Sequence, residues 1–72
     1  MKNRKKYFVA EYVTDIALGD VEQEIFYADS KQVVVEEMRR FLGGHLLAIE
    51  VREATWTERR EFKKSNTCIE IA

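Results

Sequence analysis

A Gly19-Asp20 pair between two stretches of alternating side chains constrains the fold of this 72-residue chain more than any other feature. A two-residue turn that begins with Gly matches the twist of paired strands, so the pair predicts a β-hairpin in which Leu18 faces Val21. In that register, one side of the hairpin carries no formal charge at its facing positions. These positions are Phe8, Ala10, Tyr12, Thr14, Ile16, Leu18, Val21, Gln23, Ile25 and Tyr27.

The opposite side of the predicted hairpin mixes acidic and apolar side chains. It carries Tyr7, Val9, Glu11, Val13, Asp15, Ala17, Glu22, Glu24, Phe26 and Ala28. The register also sets Asp15 across from Glu24, and like charges there destabilise a sheet unless a bulge or a cation separates them. Acidic and apolar side chains interleaved on an uncovered sheet face are typical of a partner-binding surface, so this side is the candidate interaction face.

One helix and two strands are predicted after the hairpin. Asp29 precedes the helix as its N-cap, and a glycine pair ends it. The apolar stripe expected to be buried along the helix consists of Val34, Val35, Met38, Phe41 and Leu42. Alternation over Leu47, Ile49 and Val51 then predicts a strand whose apolar side faces the helix. The predicted elements are strands at 6–18 and 21–28, a helix at 30–42, and strands at 46–54 and 67–71.

Residues 55–64 are open to two interpretations. Thr55 and Glu58 have the spacing of a capping box, which favours a short second helix. The β-branched and aromatic run from Thr55 to Thr57 also suits a strand that turns back over 63–66, and we favour this strand hairpin. The predicted fold is then α+β, a two-layer ββαββ arrangement with one helix packed on a mainly antiparallel sheet of three to four strands.

Composition limits how such a chain is stabilised and where it works. We expect residues 1–5 to form a flexible basic arm and 6–72 a single small domain, which buries only about 60% of its unfolded surface. Its single cysteine cannot form an internal disulfide, and no His and Cys have metal-ligand spacing, so we expect no metal and no cofactor. No apolar run is long enough to cross a bilayer, and one lone cysteine fits a reducing compartment. We therefore expect a cytoplasmic protein without membrane contact.

Nothing in the sequence marks a catalytic centre or a small-molecule site. His45, the only histidine, follows a glycine pair at a helix-to-strand corner and is interpreted as an exposed loop residue. In the last short strand, Ile69 and Ile71 are expected to point inward, and Cys68, which alternates with them, is interpreted as structural. Because the glycines at 43–44 follow a helix rather than precede one, they are a helix cap and not a phosphate loop. We expect no enzymatic activity, no catalytic residue and no small-molecule substrate.

Protein interaction is the function that we expect, because a small domain without a disulfide or a metal gains stability from self-association. The sequence predicts a non-enzymatic interaction or accessory module that forms a homodimer, or binds another protein, through an open sheet face or an edge strand. The expected interaction face consists of Tyr7, Val9, Glu11, Val13, Glu22, Glu24 and Phe26.

The alternative is a nucleic-acid-binding accessory protein. The net charge is only −1, but basic residues are concentrated in the N-terminal arm and in a second cluster with aromatic neighbours. Cations neutralise phosphates and aromatic rings stack on bases, so both clusters are candidates for nucleic-acid contacts. They comprise Lys2, Arg4 and Lys5 in the arm with Lys6 directly after it, and Arg59, Arg60, Lys63 and Lys64 in the second cluster. The acidic stretch between the two clusters weighs against this alternative.

Overall fold

The computed structural model describes residues 4–17 and 19–71. The expectations for residues 1–3 of the basic arm, for the nucleic-acid contact assigned to Lys2, and for Leu18 as the end of the first strand facing Val21 lie outside these ranges. The described elements are β1 (Lys6–Thr14), β2 (Glu22–Ala28), α1 (Lys31–Leu42), a 3₁₀ helix (Gly43–His45), β3 (Leu46–Glu53), α2 (Trp56–Ser65) and β4 (Ile69–Glu70). No helix in these ranges is both long enough and apolar enough to span a bilayer.

The strands form one mixed sheet in the order β3-β1-β2-β4. β1 is antiparallel to both β2 and β3, whereas β4 is parallel to β2. The predicted α+β class is confirmed, and so is the order of its main elements, with a second helix inserted between β3 and β4. α1 and α2 pack on opposite sides of the sheet, and we name the two sides the α1 face and the α2 face.

The predicted hairpin register is wrong. Tyr12 lies across from Glu22, whereas a two-residue turn would have placed it across from Tyr27, five residues further along β2. β1 ends at Thr14 and β2 begins at Glu22, so the connection is longer than a two-residue turn, and Gly19 takes a positive φ of 83° between the strands. Because side chains alternate along a strand, an odd shift moves every side chain of β2 to the other face relative to β1.

Burial of aromatic side chains explains the observed register. It brings Phe8 and Phe26 together on the α1 face, where they are 4% and 3% exposed. The end of β1 is also bound to another part of the chain, since the N–H of Asp15 donates to the carbonyl of His45 at 3.0 Å. That bond directs the chain after β1 towards the corner before β3 and away from a tight hairpin.

α1 covers the α1 face and completes the main core. This core consists of Phe8, Ala10, Phe26, Ala28, Val34 and Met38. The helix begins after Ser30, whose hydroxyl accepts a hydrogen bond from the N–H of Val33 at 3.3 Å, so the N-cap is Ser30 and the predicted Asp29 cap is wrong. Gly43 ends the helix with a positive φ of 57°, as the glycine pair predicted.

The favoured strand hairpin at 55–64 is wrong, and the alternative helix is present as α2. The hydroxyl of Thr55 accepts from the N–H of Glu58 at 3.2 Å, and the Glu58 carboxylate accepts from the N–H of Thr55 at 2.9 Å. This capping box satisfies two backbone donors that would otherwise lack intrahelical partners. Asn66 ends the helix in the left-handed conformation.

The last two strands differ from prediction in detail. β3 presents Ile49 and Val51 to the core, as expected, but Leu47 is 59% exposed because the register with β1 shifts there. β4 is short, and of the two isoleucines expected to point inward Ile71 packs against the core while Ile69 stays 45% exposed. An apolar side chain therefore remains in solvent beside β2.

Candidate interaction surfaces

The predicted interaction face is divided between the two sides of the sheet. Four of its members lie on the α2 face and three on the α1 face, respectively Tyr7, Val9, Glu11, Val13 and Glu22, Glu24, Phe26. The shifted register of β2 is the cause. Val9 is fully buried and Phe26 is 3% exposed, so both are core residues. The set does not form one surface.

α2 covers the end of the α2 face that holds Tyr7 and Val9. The ring centroid of Tyr7 lies 4.7 Å from that of Tyr27 and 6.3 Å from that of Phe62. Burial raises the pKa of Tyr7 above its ordinary value of 10.0, and the nearby Cys68 raises it further. These aromatic side chains join helix to sheet, so they are packing anchors and not an open binding surface.

An ion pair attaches the start of α2 to β3. The guanidinium of Arg52 donates hydrogen bonds of 2.7 and 2.8 Å to the two carboxylate oxygens of Glu58. These bonds, followed by the one from the Thr55 N–H, lower the pKa of Glu58 from 4.5 to about 2. A bidentate pair of this kind fixes direction as well as distance, so it holds the first turn of α2 against the sheet.

The carboxylates predicted to share one side of the hairpin are dispersed. Glu11 lies across from Glu50 on the α2 face, where its carboxylate accepts a 3.4 Å hydrogen bond from the side chain of Gln23. Asp15 is outside the strands, so it does not oppose Glu24 as the predicted register required. Glu11 and Glu50 are therefore like charges at opposite positions of β1 and β3 on this face.

β3 presents an open backbone edge at the side of the sheet. In the ranges that the structure describes, no strand pairs with its outer side, whereas β4 pairs with part of β2 at the opposite edge. The exposed residues of this edge strand are Leu47, Ala48, Glu50, Arg52 and Glu53. An unpaired edge of eight residues is able to accept a further strand.

An apolar groove runs between α1 and β4 on the α1 face. Its volume is about 430 Å³. The buried side chains of the core form its floor, exposed apolar side chains form its walls, and carboxylates stand at its rim. The floor residues are Phe26 and Met38, the wall residues are Phe41 and Ile69, and the rim residues are Glu24 and Glu37. We name this feature the α1–β4 groove.

The acidic rim acts on a tyrosine within the groove. Burial raises the pKa of Tyr12 above its ordinary value of 10.0, and the carboxylates of Glu24 and Glu22 raise it further. Glu37 is held loosely at 3.7 Å from Arg40, and its side chain is 41% exposed. The groove therefore combines an apolar interior with a negative border.

Two basic residues near the N-terminus, Lys5 and Lys6, lie against acidic residues of the sheet. The ammonium of Lys5 is 2.9 Å from the carboxylate of Glu70, and that of Lys6 is 3.9 Å from that of Glu53. Arg4 is exposed. These ion pairs offset part of the positive charge that the sequence assigned to nucleic-acid contacts.

The second basic cluster lies on the exposed surface of α2. The guanidinium of Arg60 stacks over the ring of Trp56, 5.1 Å from its centroid, and Trp56 is 63% exposed. Lys63 and Lys64 border the same surface groove, and Arg59 is also exposed. The helix thus carries an aromatic ring bordered by three cations and by the acidic Glu61.

His45 and Cys68 are side chains of types that often take part in catalysis. The Nδ1 atom of His45 lies 2.9 Å from a carboxylate oxygen of Asp15, and both side chains are about half exposed, at 60% and 49%. Cys68 is a free, half-buried thiol. Within the described part of the chain, no three His, Cys, Asp or Glu side chains are arranged to hold a metal ion.

Sequence reasoning missed the α1–β4 groove, although part of its signal is visible. Phe41 was assigned to the buried stripe of α1, but it is 83% exposed. It falls at the edge of that stripe, three residues after the buried Met38. Ile69 and Ile71 are two residues apart in the last strand, so the sequence predicts that both point inward. The contact that places Ile69 beside Phe26 depends on the parallel pairing of β4 with β2, which no local pattern indicates.

Comparison of the chain with protein-family models, with curated proteins and with solved structures gave no match.

Proposed function

We propose that the protein is a small, non-enzymatic interaction module of the cytoplasm that forms a homodimer through the edge strand β3. The observation that carries this proposal is the unpaired eight-residue backbone edge of β3. The single cysteine supports the cytoplasmic assignment. The His45–Asp15 pair is about half exposed and lacks the enclosed surroundings that many active sites have, which supports a non-enzymatic role.

The hydrogen-bonding pattern of β3 identifies the backbone groups available to a second copy. The N–H of Ala54 donates to the carbonyl of Tyr7 at 2.9 Å. In an antiparallel ladder, residues alternate between bonding inward and outward. The backbone groups of Arg52 and Glu50 therefore bond towards β1, and those of Val51 point outward. The same alternation makes Ile49 an outward-bonding residue.

Charge selects one register for a two-fold pairing of β3 with β3 of a second copy. A two-fold axis at Glu50 would set two glutamates face to face, which is unfavourable. An axis at Val51 instead sets Glu50 of each protomer across from Arg52 of the other, giving two ion pairs. Arg52 retains N–H donors beyond the two that bind Glu58, so it is able to accept this additional partner. We propose the Val51-centred register.

The substitution Glu50→Lys tests this dimer. Within one protomer it replaces the Glu11–Glu50 repulsion with an attraction, so the free energy of unfolding should rise slightly, by about 0.5 kcal/mol. Across the dimer it replaces two Glu–Arg attractions with two repulsions, a change of about 2 kcal/mol or about 30-fold in Kd. Sedimentation equilibrium measures the dimer Kd, and urea denaturation of the dilute protein measures protomer stability.

Glu61→Lys is the matched control, since it makes the same change of charge on the exposed surface of α2. It should leave the dimer Kd within about twofold. A wild-type protein that is monomeric at high micromolar concentration overturns the proposal. A dimer that Glu50→Lys and Glu61→Lys weaken equally overturns the β3 interface.

Nucleic-acid binding is the second candidate, and the Arg60–Trp56 stack beside two lysines favours it. An exposed aromatic ring bordered by cations is suited to stack on a base while neutralising nearby phosphates. Trp56 is the only tryptophan, so its fluorescence reports on this surface alone. Single-stranded RNA is the partner that such a surface fits best, because its bases are free to stack.

Titration with single-stranded oligouridine tests the second candidate. If it is correct, RNA quenches Trp56 fluorescence, and log K falls with log salt with a slope of about −2, as expected for about three neutralised phosphates. Arg60→Glu combined with Lys63→Glu should abolish binding. Arg39→Glu combined with Arg40→Glu changes the charge equally on α1 and should weaken it only slightly. An unquenched Trp56 at low salt contradicts this function.

A further inference from the structure

The α1–β4 groove carries an inference that does not rest on self-association through β3. We propose that this groove docks a cationic amphipathic helix of another protein. The apolar side chains of that helix enter between Phe41 and Ile69, and its Lys or Arg side chains lie against the acidic rim. Amphipathic helices commonly bind to hydrophobic grooves in this way.

The shape of the groove favours a peptide segment over a small molecule. Its floor is closed by Phe26 and Met38, at 3% and 4% exposure, but its walls stand open at Phe41 and Ile69, at 83% and 45%. A small molecule on this floor would leave much of its surface in water, whereas binding sites for small ligands bury most of the ligand. A helix covers the floor and both walls together, which removes the largest apolar area from water.

The charge of the rim determines the sign of the partner. Glu24 and Glu37 border the groove, and Glu24 and Glu22 both lie close enough to Tyr12 for their carboxylates to add to the effect of burial in raising its pKa. A negative border attracts Lys and Arg and repels phosphate groups, so a basic protein segment fits and a nucleic acid does not. Arg40 offsets only part of this charge, because it lies 3.7 Å from Glu37 in an exposed position.

Phe41 is the side chain on which the binding energy should concentrate. Aromatic side chains at the centre of an interface contribute most when both partners exclude water from them. Phe41 is 83% exposed in this structure, so its docking would bury nearly the whole ring. Its replacement should remove affinity without removing any contact on which the fold depends.

A synthetic peptide of Leu and Lys provides the probe. We would use about 18 residues, with Leu at helical spacing, because a shorter peptide forms too little helix. The peptide carries a fluorescein label, and fluorescence anisotropy measures its Kd. The expected result is saturable binding to the wild-type protein. Phe41→Ser should weaken it by about tenfold or more, and Glu37→Lys by about threefold to tenfold.

Each variant has a matched control. Ile16→Ser removes an exposed apolar side chain outside the groove, at 72% exposure, and Glu36→Lys reverses a charge on the adjacent position of the same helix. Both should leave the Kd within about twofold. A Leu–Glu peptide with the same spacing should bind far more weakly. Titrating the Glu50→Lys variant as well separates this result from the state of the β3 interface.

Three outcomes would overturn the proposal. The first is no saturable binding of the Leu–Lys peptide. The second is an equal loss of affinity in Phe41→Ser and Ile16→Ser, which would mean non-specific adsorption. The third is a lower sedimentation mass of Phe41→Ser than of the wild type, which would assign the groove to a second copy of this chain.

Discussion

At the scale of single residues, Glu58 makes two kinds of contact, and the capping-box pattern in the sequence predicts only one of them. Its carboxylate accepts the N–H of Thr55 and two hydrogen bonds from Arg52. One side chain therefore closes the capping box of α2 and ties that helix to β3. The lowered pKa of about 2 is the electrostatic result of these bonds.

Replacing Glu58 with Gln should expose this role through its pH dependence. Because the folded pKa is lowered, the stabilising effect is present above the ordinary value of 4.5 and is lost as the pH falls through about 2. At pH 7 the loss should be about 1 kcal/mol, since the side chain is 31% exposed and solvent screens the pair. The difference in unfolding free energy between the wild type and Glu58→Gln should shrink between pH 4.5 and 2.

Glu61→Gln, on the exposed surface of the same helix, provides the control for charge alone. Urea denaturation at several pH values measures both variants. A wild-type advantage over Glu58→Gln that stays constant down to pH 2 would contradict the lowered pKa.

At the scale of elements, α2 depends on its attachment to the sheet. The helix has no fully buried residue, and ten residues are too few for a stable isolated helix in water. Phe62 contacts the ring of Tyr7, and the Arg52–Glu58 pair holds the other end. The sequence of α2 supports the helix through its capping box, but the aromatic contact decides where it lies.

Phe62→Ala should release α2 from the sheet. Phe62 is half-buried, so the expected loss of stability is about 2 kcal/mol, below the cost of a fully buried phenylalanine. Amide hydrogen exchange should accelerate in α2 and at the uncovered Val9, and remain slow in α1.

Phe41→Ala is the matched control for this prediction, because the same substitution removes a ring that is 83% exposed. Its effect on stability should stay within about 0.5 kcal/mol. Equal destabilisation by the two substitutions would show that Phe62 does not anchor α2.

At the scale of the whole molecule, two crossover connections determine the layers. β2 and β3 are parallel to each other with β1 between them, and α1 joins them across one face. β3 and β4 are also parallel, and α2 joins them in the opposite direction. Connections of the same hand that run in opposite directions must use opposite faces of the sheet. α2 consequently covers part of the face that the sequence predicted to be open.

This topology leaves two kinds of surface unsatisfied. The edge of β3 is bare because β3 ends the sheet. The α1–β4 groove is open because β4 is only two residues long and α1 does not extend over it. A small chain with little core has few elements of its own to cover such surfaces, which is in line with the interactions proposed above.

Local features were predictable from the sequence because short-range physics governs them. The glycine at the end of α1, the apolar alternation of β1 and β3, and the capping-box spacing of Thr55 and Glu58 each act over a few residues. The favoured strand at 55–64 was wrong because β propensity and the capping box compete locally. The capping box favours the helix over the strand, because it supplies hydrogen-bond partners for backbone N–H groups in the first turn.

Only the tertiary structure decided the register of the hairpin, the face to which each β2 side chain points and the position of α2. Packing Phe8 against Phe26 beneath α1, and binding Asp15 to His45, outweighed a tight turn at Gly19. These contacts join residues that lie far apart in the chain, so no local pattern contains them. Both candidate surfaces arise in the same way, because an edge and a groove exist only once the strands have been ordered in space.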